Sequence, residues 1–144
     1  MPTIVALVKH VPDTWSTKSL EDDHTLDRTS VDNVIDEVNE YSVEQALRLR
    51  DDNPDAGYKV VALTMGPAQA DEALRKALAM GADDAVLVSD DSLAGADALS
   101  TAWTLNAALN KLDDVQLITA GTEASDASTG LLTGLLAEYR QLPA

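Results

Sequence analysis

The sequence predicts an α/β domain in which a parallel β-sheet carries helices on both faces, and three observations lead there. Short apolar, β-branched runs alternate along the chain with helix-length segments whose apolar residues fall at three- and four-residue spacings. The apolar runs lack a clean in-out alternation, as expected of strands covered on both sides. Hydrophobic residues make up 45% of the 144 while aromatics are only 3%, with no Phe. The core must then be built from Val, Leu, Ile and Ala, side chains that let helices lie close on a sheet. Strands and helices alternating at this length imply right-handed crossovers.

Each element has its own signal. Thr3 to Lys9 is the first strand. His10 to Asn33 is polar and rich in Asp, Ser and Thr, so a hairpin-like excursion or partial disorder is expected. Helical signals resume near Asp36, with Val43, Ala46, Leu47 and Arg50 along one side and Asn39 or Ser42 as candidate caps. Asn53-Pro54 and Gly57 stop that helix, and Lys59 to Met65 forms a second strand running into Gly66-Pro67. Pro67 suits a first helical turn, where its missing N–H costs nothing. Ala70, Leu74, Ala77 and Leu78 make the next apolar stripe, with acids early and bases later to match the helix dipole. Gly81 ends this helix, Ala85 to Val88 is a third strand, and Asp97 or a neighbour opens a helix bearing Ala98, Ala102, Leu105 and Leu109. Val115 to Ala120 is a fourth strand closing on Gly121, and a last helix is expected from about Thr129, carrying Leu131, Leu132, Leu135, Leu136 and Tyr139. A similar order occurs in Rossmann-like nucleotide-binding folds, where ligands sit beyond the carboxyl ends of the strands.

A chain of this length suffices for one domain, and nothing in it reads as a linker. A net charge of −15 argues against nucleic acid and anionic membrane surfaces, both of which demand clustered Lys and Arg. With no cysteine, disulfides and thiolate metal sites are excluded. Ile4 to Val8 is too short for a signal h-region or a membrane span, so no membrane insertion is expected and the cytoplasm is the default location.

Motifs of self-contained chemistry are missing. Neither GxGxxG, GxxxxGK[ST] nor a GxSxG elbow is present, and His10 and His24 show no metal-ligand spacing. No catalytic residues and no metal are expected. The paired aspartates at segment ends read as solvated caps and turns. One segment invites a ligand: ITAGTEASDASTGLL, Ile118 to Leu132, sets small and polar residues between a strand and a helix, where free backbone N–H groups can meet an anion. Taken alone, the same composition serves ordinary turns and caps.

Three stretches carry a resemblance to a known family: IVALVKHVPDTW (Ile4 to Trp15), VNEYSVEQALRLRD (Val38 to Asp51) and MGPAQADEALRKALAMGAD (Met65 to Asp83). Together they resemble the electron transfer flavoprotein β-subunit, nearest its actinobacterial-type branch, from Thr3 to Pro143. Family β-subunits are much longer, so residues 1–144 are read as an N-terminal nucleotide-binding domain of adenine nucleotide α-hydrolase-like fold. The resemblance implies a non-enzymatic electron carrier. FAD would lie mainly in an α-subunit partner, and AMP in this subunit. Electrons would come from flavin dehydrogenases, such as those acting on acyl-CoA in fatty acid oxidation, and pass to a quinone reductase.

By matching position, the resemblance places AMP at Gly121, Asp126, Ala127, Ser128, Thr129, Gly130, Leu131 and Leu132, chiefly through backbone amides at a helix start. Leu7, Lys9, Asp36, Asn39 and Met65 match further positions around the adenosine. Two departures stand out: Gly130-Leu131-Leu132 replaces a frequent Asn-Gln-Thr, and Asp36 stands where relatives often carry Asn, setting negative charge near a nucleotide. Two competing readings remain at this level. One is a free-standing universal-stress-type adenine nucleotide module. The other is a bifurcating flavoprotein whose β-subunit holds a second FAD in place of AMP.

Overall fold

A computed structural model describes residues 1–144 and shows a four-stranded parallel sheet flanked by helices. In chain order the elements are β1 (Thr3–Leu7), β2 (His10–Pro12), β3 (Asn33–Ile35), α1 (Glu37–Asp52), β4 (Lys59–Met65), α2 (Asp71–Met80), β5 (Asp84–Val88), α3 (Ala98–Leu109), β6 (Val115–Thr119) and α4 (Leu132–Arg140). The sheet runs β5-β4-β1-β6, while β2 and β3 form a separate antiparallel ribbon. Register pairs Thr3 with Lys59 and Leu7 with Leu63 on one side of β1, and Ala6 with Thr119 on the other.

This order makes β1 the pivot. Strands β4 and β5 extend from one side of it and β6 from the other, so the strand order reverses at the β1/β6 boundary while all four strands stay parallel. Loops leaving such neighbours diverge and open a crevice beyond their carboxyl ends.

Alternate residues of the buried strands feed two cores, as a two-residue period requires. Ile4, Ala6 and Val8 join Val60 and Ala62 under α1 and α2, which contribute Val43, Ala46, Leu47, Ala73, Leu74 and Ala77. Val5, Leu7 and Leu63 face α3 and α4, meeting Ala102, Leu105, Leu109 and Leu136. Each fully buried Val, Leu or Ile side chain contributes about 1.5–3 kcal/mol. Arg50 and Asp83 stitch the first layer: Arg50 donates to Gly81 O and to Asp83 Oδ2, which also accepts the Val60 amide.

Several local expectations shift. The α1 N-cap is Asp36, although its side chain makes no capping bond. Asn39 and Ser42 lie inside the helix, where Asn39 Oδ1 accepts the Lys9 amide at 2.8 Å and Ser42 Oγ donates to Asn39 O. Pro67 sits just before a short 3-10 turn, Ala68–Ala70, that leads into α2. In α2 the buried stripe is Ala73, Leu74 and Ala77, continuing from Ala70 in the turn before it, and Leu78 faces outward. Helix α4 starts at Leu132 and not near Thr129, because Ser128 and Gly130 both adopt left-handed φ values (+49° and +64°) that no right-handed helix continues.

The His10–Asn33 excursion takes its hairpin-like form, closed at its base by β2 and β3 with Val11 opposite Val34. Its turns are shaped by aspartates: Asp13 accepts the Trp15 amide, Asp23 that of Thr25, and Asp27 those of Thr29 and Ser30. No helix is long and apolar enough to cross a membrane.

Candidate functional site

The carboxyl ends of β1, β4 and β6 open into a cleft of about 290 Å³. Its inner wall is apolar, built from Leu7 on β1, Leu63 and Met65 on β4, Leu105 on α3 and Leu132 at the start of α4. Lys9, Arg28 and Asn39 also line it, together with residues 120–130 except Ser125, Asp126 and Ser128. Asp97, the N-cap of α3, closes the far end; its carboxylate accepts the Ser100 amide, which lowers its pKa.

The strand-to-helix loop is held to α1 by three devices. Asp36, buried before α1, accepts the Ser125 amide on Oδ2 at 2.8 Å. Thr119 Oγ1 donates to Ser42 O, again on α1. Gly121 passes so close to the first turn of α1 that a Cβ there would come within 2.7 Å of Val38 Cγ2 and 3.1 Å of Asn39 Nδ2. Only glycine permits this approach. The Ser128 amide donates back to Ala124 O, whereas the amides of Ala127, Thr129, Gly130, Leu131 and Leu132 find no acceptor within the protein. A run of unpaired N–H groups at a helix N-terminus favours an anion.

Asp126 anchors the charged side of the site. Its carboxylate, fully buried, accepts Lys9 Nζ at 2.8 Å on one oxygen and Arg28 Nη2 on the other. Burial alone pushes this carboxyl up, yet the hydrogen bonds and charges of Lys9 and Arg28 outweigh it and hold the pKa below the usual carboxylate range.

Of the residues singled out by sequence, Leu7, Lys9, Asn39, Met65, Gly121, Ala127, Thr129, Gly130 and Leu132 line the cleft. Asp36, Asp126, Ser128 and Leu131 do not. Asp36 and Asp126 act one layer back, on the loop amide and on the two cations, and Leu131 turns outward. Sequence reasoning missed Arg28, Leu63, Asp97, Thr101 and Leu105. Arg28 had no motif around it; its only signal was that it is one of two Lys or Arg residues, with Lys18, in an acidic, polar excursion.

Fold and cleft together define a class: Rossmann-like parallel α/β domains whose cleft lies where the strand order reverses. Within that class, the chain belongs to the electron transfer flavoprotein family. Residues 23–144 match the family model described as "Electron transfer flavoprotein domain". The chain is 47% identical to the "Electron transfer flavoprotein subunit beta" of Mycobacterium leprae, over 99% of its own length and 55% of the relative's. It is 39% identical to the "Caffeyl-CoA reductase-Etf complex subunit CarD" of Acetobacterium woodii, over 97% of this chain and 53% of that one. Identity to the "Acryloyl-CoA reductase electron transfer subunit gamma" of Anaerotignum propionicum is 38%, over 97% and 52% respectively. The chain therefore spans about half the length of the curated relatives it matches. Family membership takes the place of the stress-type alternative.

Proposed function

We propose that this chain is the nucleotide-binding N-terminal domain of an electron transfer flavoprotein β-subunit, and that its cleft holds AMP. The observation that carries this reading is the set of unpaired amides of Ala127 and of Thr129 to Leu132 beside an apolar pocket and two cations. The residues present fit the group. Leu7, Leu63 and Met65 offer apolar surface to a base, while the loop amides and Lys9 offer donors to a phosphate. The departures at Gly130-Leu131-Leu132 remove side-chain donors but leave these backbone donors in place. The Asp36 carboxylate is engaged by the Ser125 amide and stands outside the cleft lining, which weakens the like-charge objection to a nucleotide.

In this role the chain carries no catalytic residue. Bound AMP supplies no redox chemistry, only a fixed charge and a packing element; the electron chemistry belongs to FAD held mainly by an α-subunit. The assembled heterodimer would accept electrons from flavin dehydrogenases and deliver them to a quinone reductase. The reductase-complex names of two relatives, together with the altered Gly130-Leu131-Leu132, favour one second reading, in which β holds another FAD in the manner of a bifurcating flavoprotein.

The test is to purify the complex of the full-length β-subunit with its α-subunit, denature it, and identify the released nucleotides by mass spectrometry. One FAD with one AMP is the expected result. Two FAD would establish the second reading, and ATP without flavin would overturn both.

A further inference from the structure

Arg28 reaches the cleft from an unexpected direction. It belongs to neither the sheet nor a flanking helix, but to the excursion between β2 and β3, and it is fixed at both ends. Asn33 Nδ2 donates to the Arg28 carbonyl at 2.7 Å, setting the backbone, while Asp126 receives the guanidinium. Lys18, from the same excursion, donates to Ser125 O at 3.4 Å and adds a second tie to the loop after β6.

The guanidinium is far from saturated by these contacts. Of its five N–H donors, one reaches a protein acceptor, Asp126. The side chain is 39% exposed and lines the cleft, as does Lys9, whose ammonium uses one of three donors on the same carboxylate. Asp126 thus orients both cations from a fully buried position without consuming their capacity. In a chain of net charge −15, a pair of cations held side by side is an exception, and it falls beside the unpaired amides. A planar guanidinium with open donors matches phosphate oxygens better than any other side chain does.

We propose that Arg28 is the residue by which the cleft distinguishes a phosphate-bearing adenine nucleotide from the bare nucleoside, an assignment that rests on the AMP reading above. The apolar wall gives both ligands the same grip on the base. Arg28 adds affinity only where a phosphate is present, so the excursion functions as a specificity arm.

The deciding experiment is calorimetric titration of the nucleotide-stripped complex of the full-length β-subunit and its α-subunit with AMP and, separately, with adenosine, for wild type, Arg28→Gln and Arg28→Lys. A hydrogen bond to a charged group is worth about 1.5–3 kcal/mol, so Arg28→Gln should weaken AMP about tenfold or more. Adenosine affinity should stay unchanged, and Arg28→Lys, which keeps the charge but loses the fork, should recover part of the preference. If Arg28 merely staples the excursion, Arg28→Gln will weaken AMP and adenosine by the same factor. That outcome, or no change for either ligand, refutes the assignment while leaving AMP binding intact. Failure of wild type to bind AMP refutes the nucleotide reading, and the role of Arg28 falls with it.

Discussion

The two faces of the sheet are built from similar side chains but are sealed to different degrees. Under α1 and α2 the core comprises 13 buried residues, with Tyr41 and Leu78 the large apolar side chains exposed on those helices. Under α3 and α4 only seven are buried, with a fringe of half-covered residues including Met65, Val88, Leu132, Leu135 and Tyr139. Leu99 and Trp103 on α3, and Leu131 and Leu142 flanking α4, are exposed, although Trp103 finds an edge-to-face partner in Tyr139 with ring centroids 5.3 Å apart. The first face is a finished interior, while the second keeps a gap beyond the strand ends that is the cleft itself. Stability and binding are thus divided between opposite sides of one sheet.

The largest expected effect tests that division. Ile4→Ala, in the sealed core, should cost about 4 kcal/mol, whereas Leu136→Ala under α4 should cost about 2 kcal/mol because the looser site can collapse. Urea titration of both variants checks the ordering, and equal losses would abolish the contrast. Next comes the seam between loop and helix. Gly121→Ala drives a Cβ into Val38 and Asn39, at a cost of about 1–3 kcal/mol for overpacking, and should disturb the Asn39 bond to the Lys9 amide. Melting and AMP titration of the variant should both deteriorate; a change in melting alone would show that the seam does not shape the cleft.

A smaller effect appears in acid. The Asp126 pKa is lowered in the folded protein, so its contribution is complete above the unfolded carboxyl value of about 4 and fades as pH falls through the folded value. Asp126→Asn should lose about 1 kcal/mol at neutral pH and show a shallower acid limb in a stability profile, converging with wild type at low pH. The smallest effect serves as a control. Arg75→Ala breaks an exposed pair with Asp71 on α2 and should shift stability by no more than about 0.5 kcal/mol.

How much of this was legible in the sequence depends on how local each cause is. Strand β4 was readable to the residue because Gly57 precedes it and Gly66-Pro67 follows it. The start of α3 was legible to within a residue or so, at Asp97 or a neighbour, and the Ser100 amide fixes it on the Asp97 carboxylate. Two kinds of feature were hidden. Leu78 reads as core by size and spacing, yet the closely approaching layer favours the smaller Ala73, a choice made by the neighbouring helix and sheet. The start of α4 was misplaced because left-handed turns at Ser128 and Gly130 are set by a loop tied back to α1. The site followed the same rule. Residues at strand ends, such as Leu7 and Met65, could be placed from pattern and resemblance. Arg28 could not, since its position depends on a ribbon of three-residue strands and on a carboxylate 98 positions away.

The pairing of β1 also constrains the order in which a nascent chain can assemble. Its first strand finds β4 once Lys59 to Leu63 have emerged, and helices α1 and α2 can then cover one side. Its other neighbour, β6, comes only with Val115 to Thr119, more than a hundred residues after β1. Contacts separated so far along the chain close late, because the entropy of the intervening loop opposes them. The pocket between β1 and β6 therefore forms after the β1–β4 pair, and until Val115 to Thr119 emerge the open flank of β1 is an unpaired strand edge waiting for its partner.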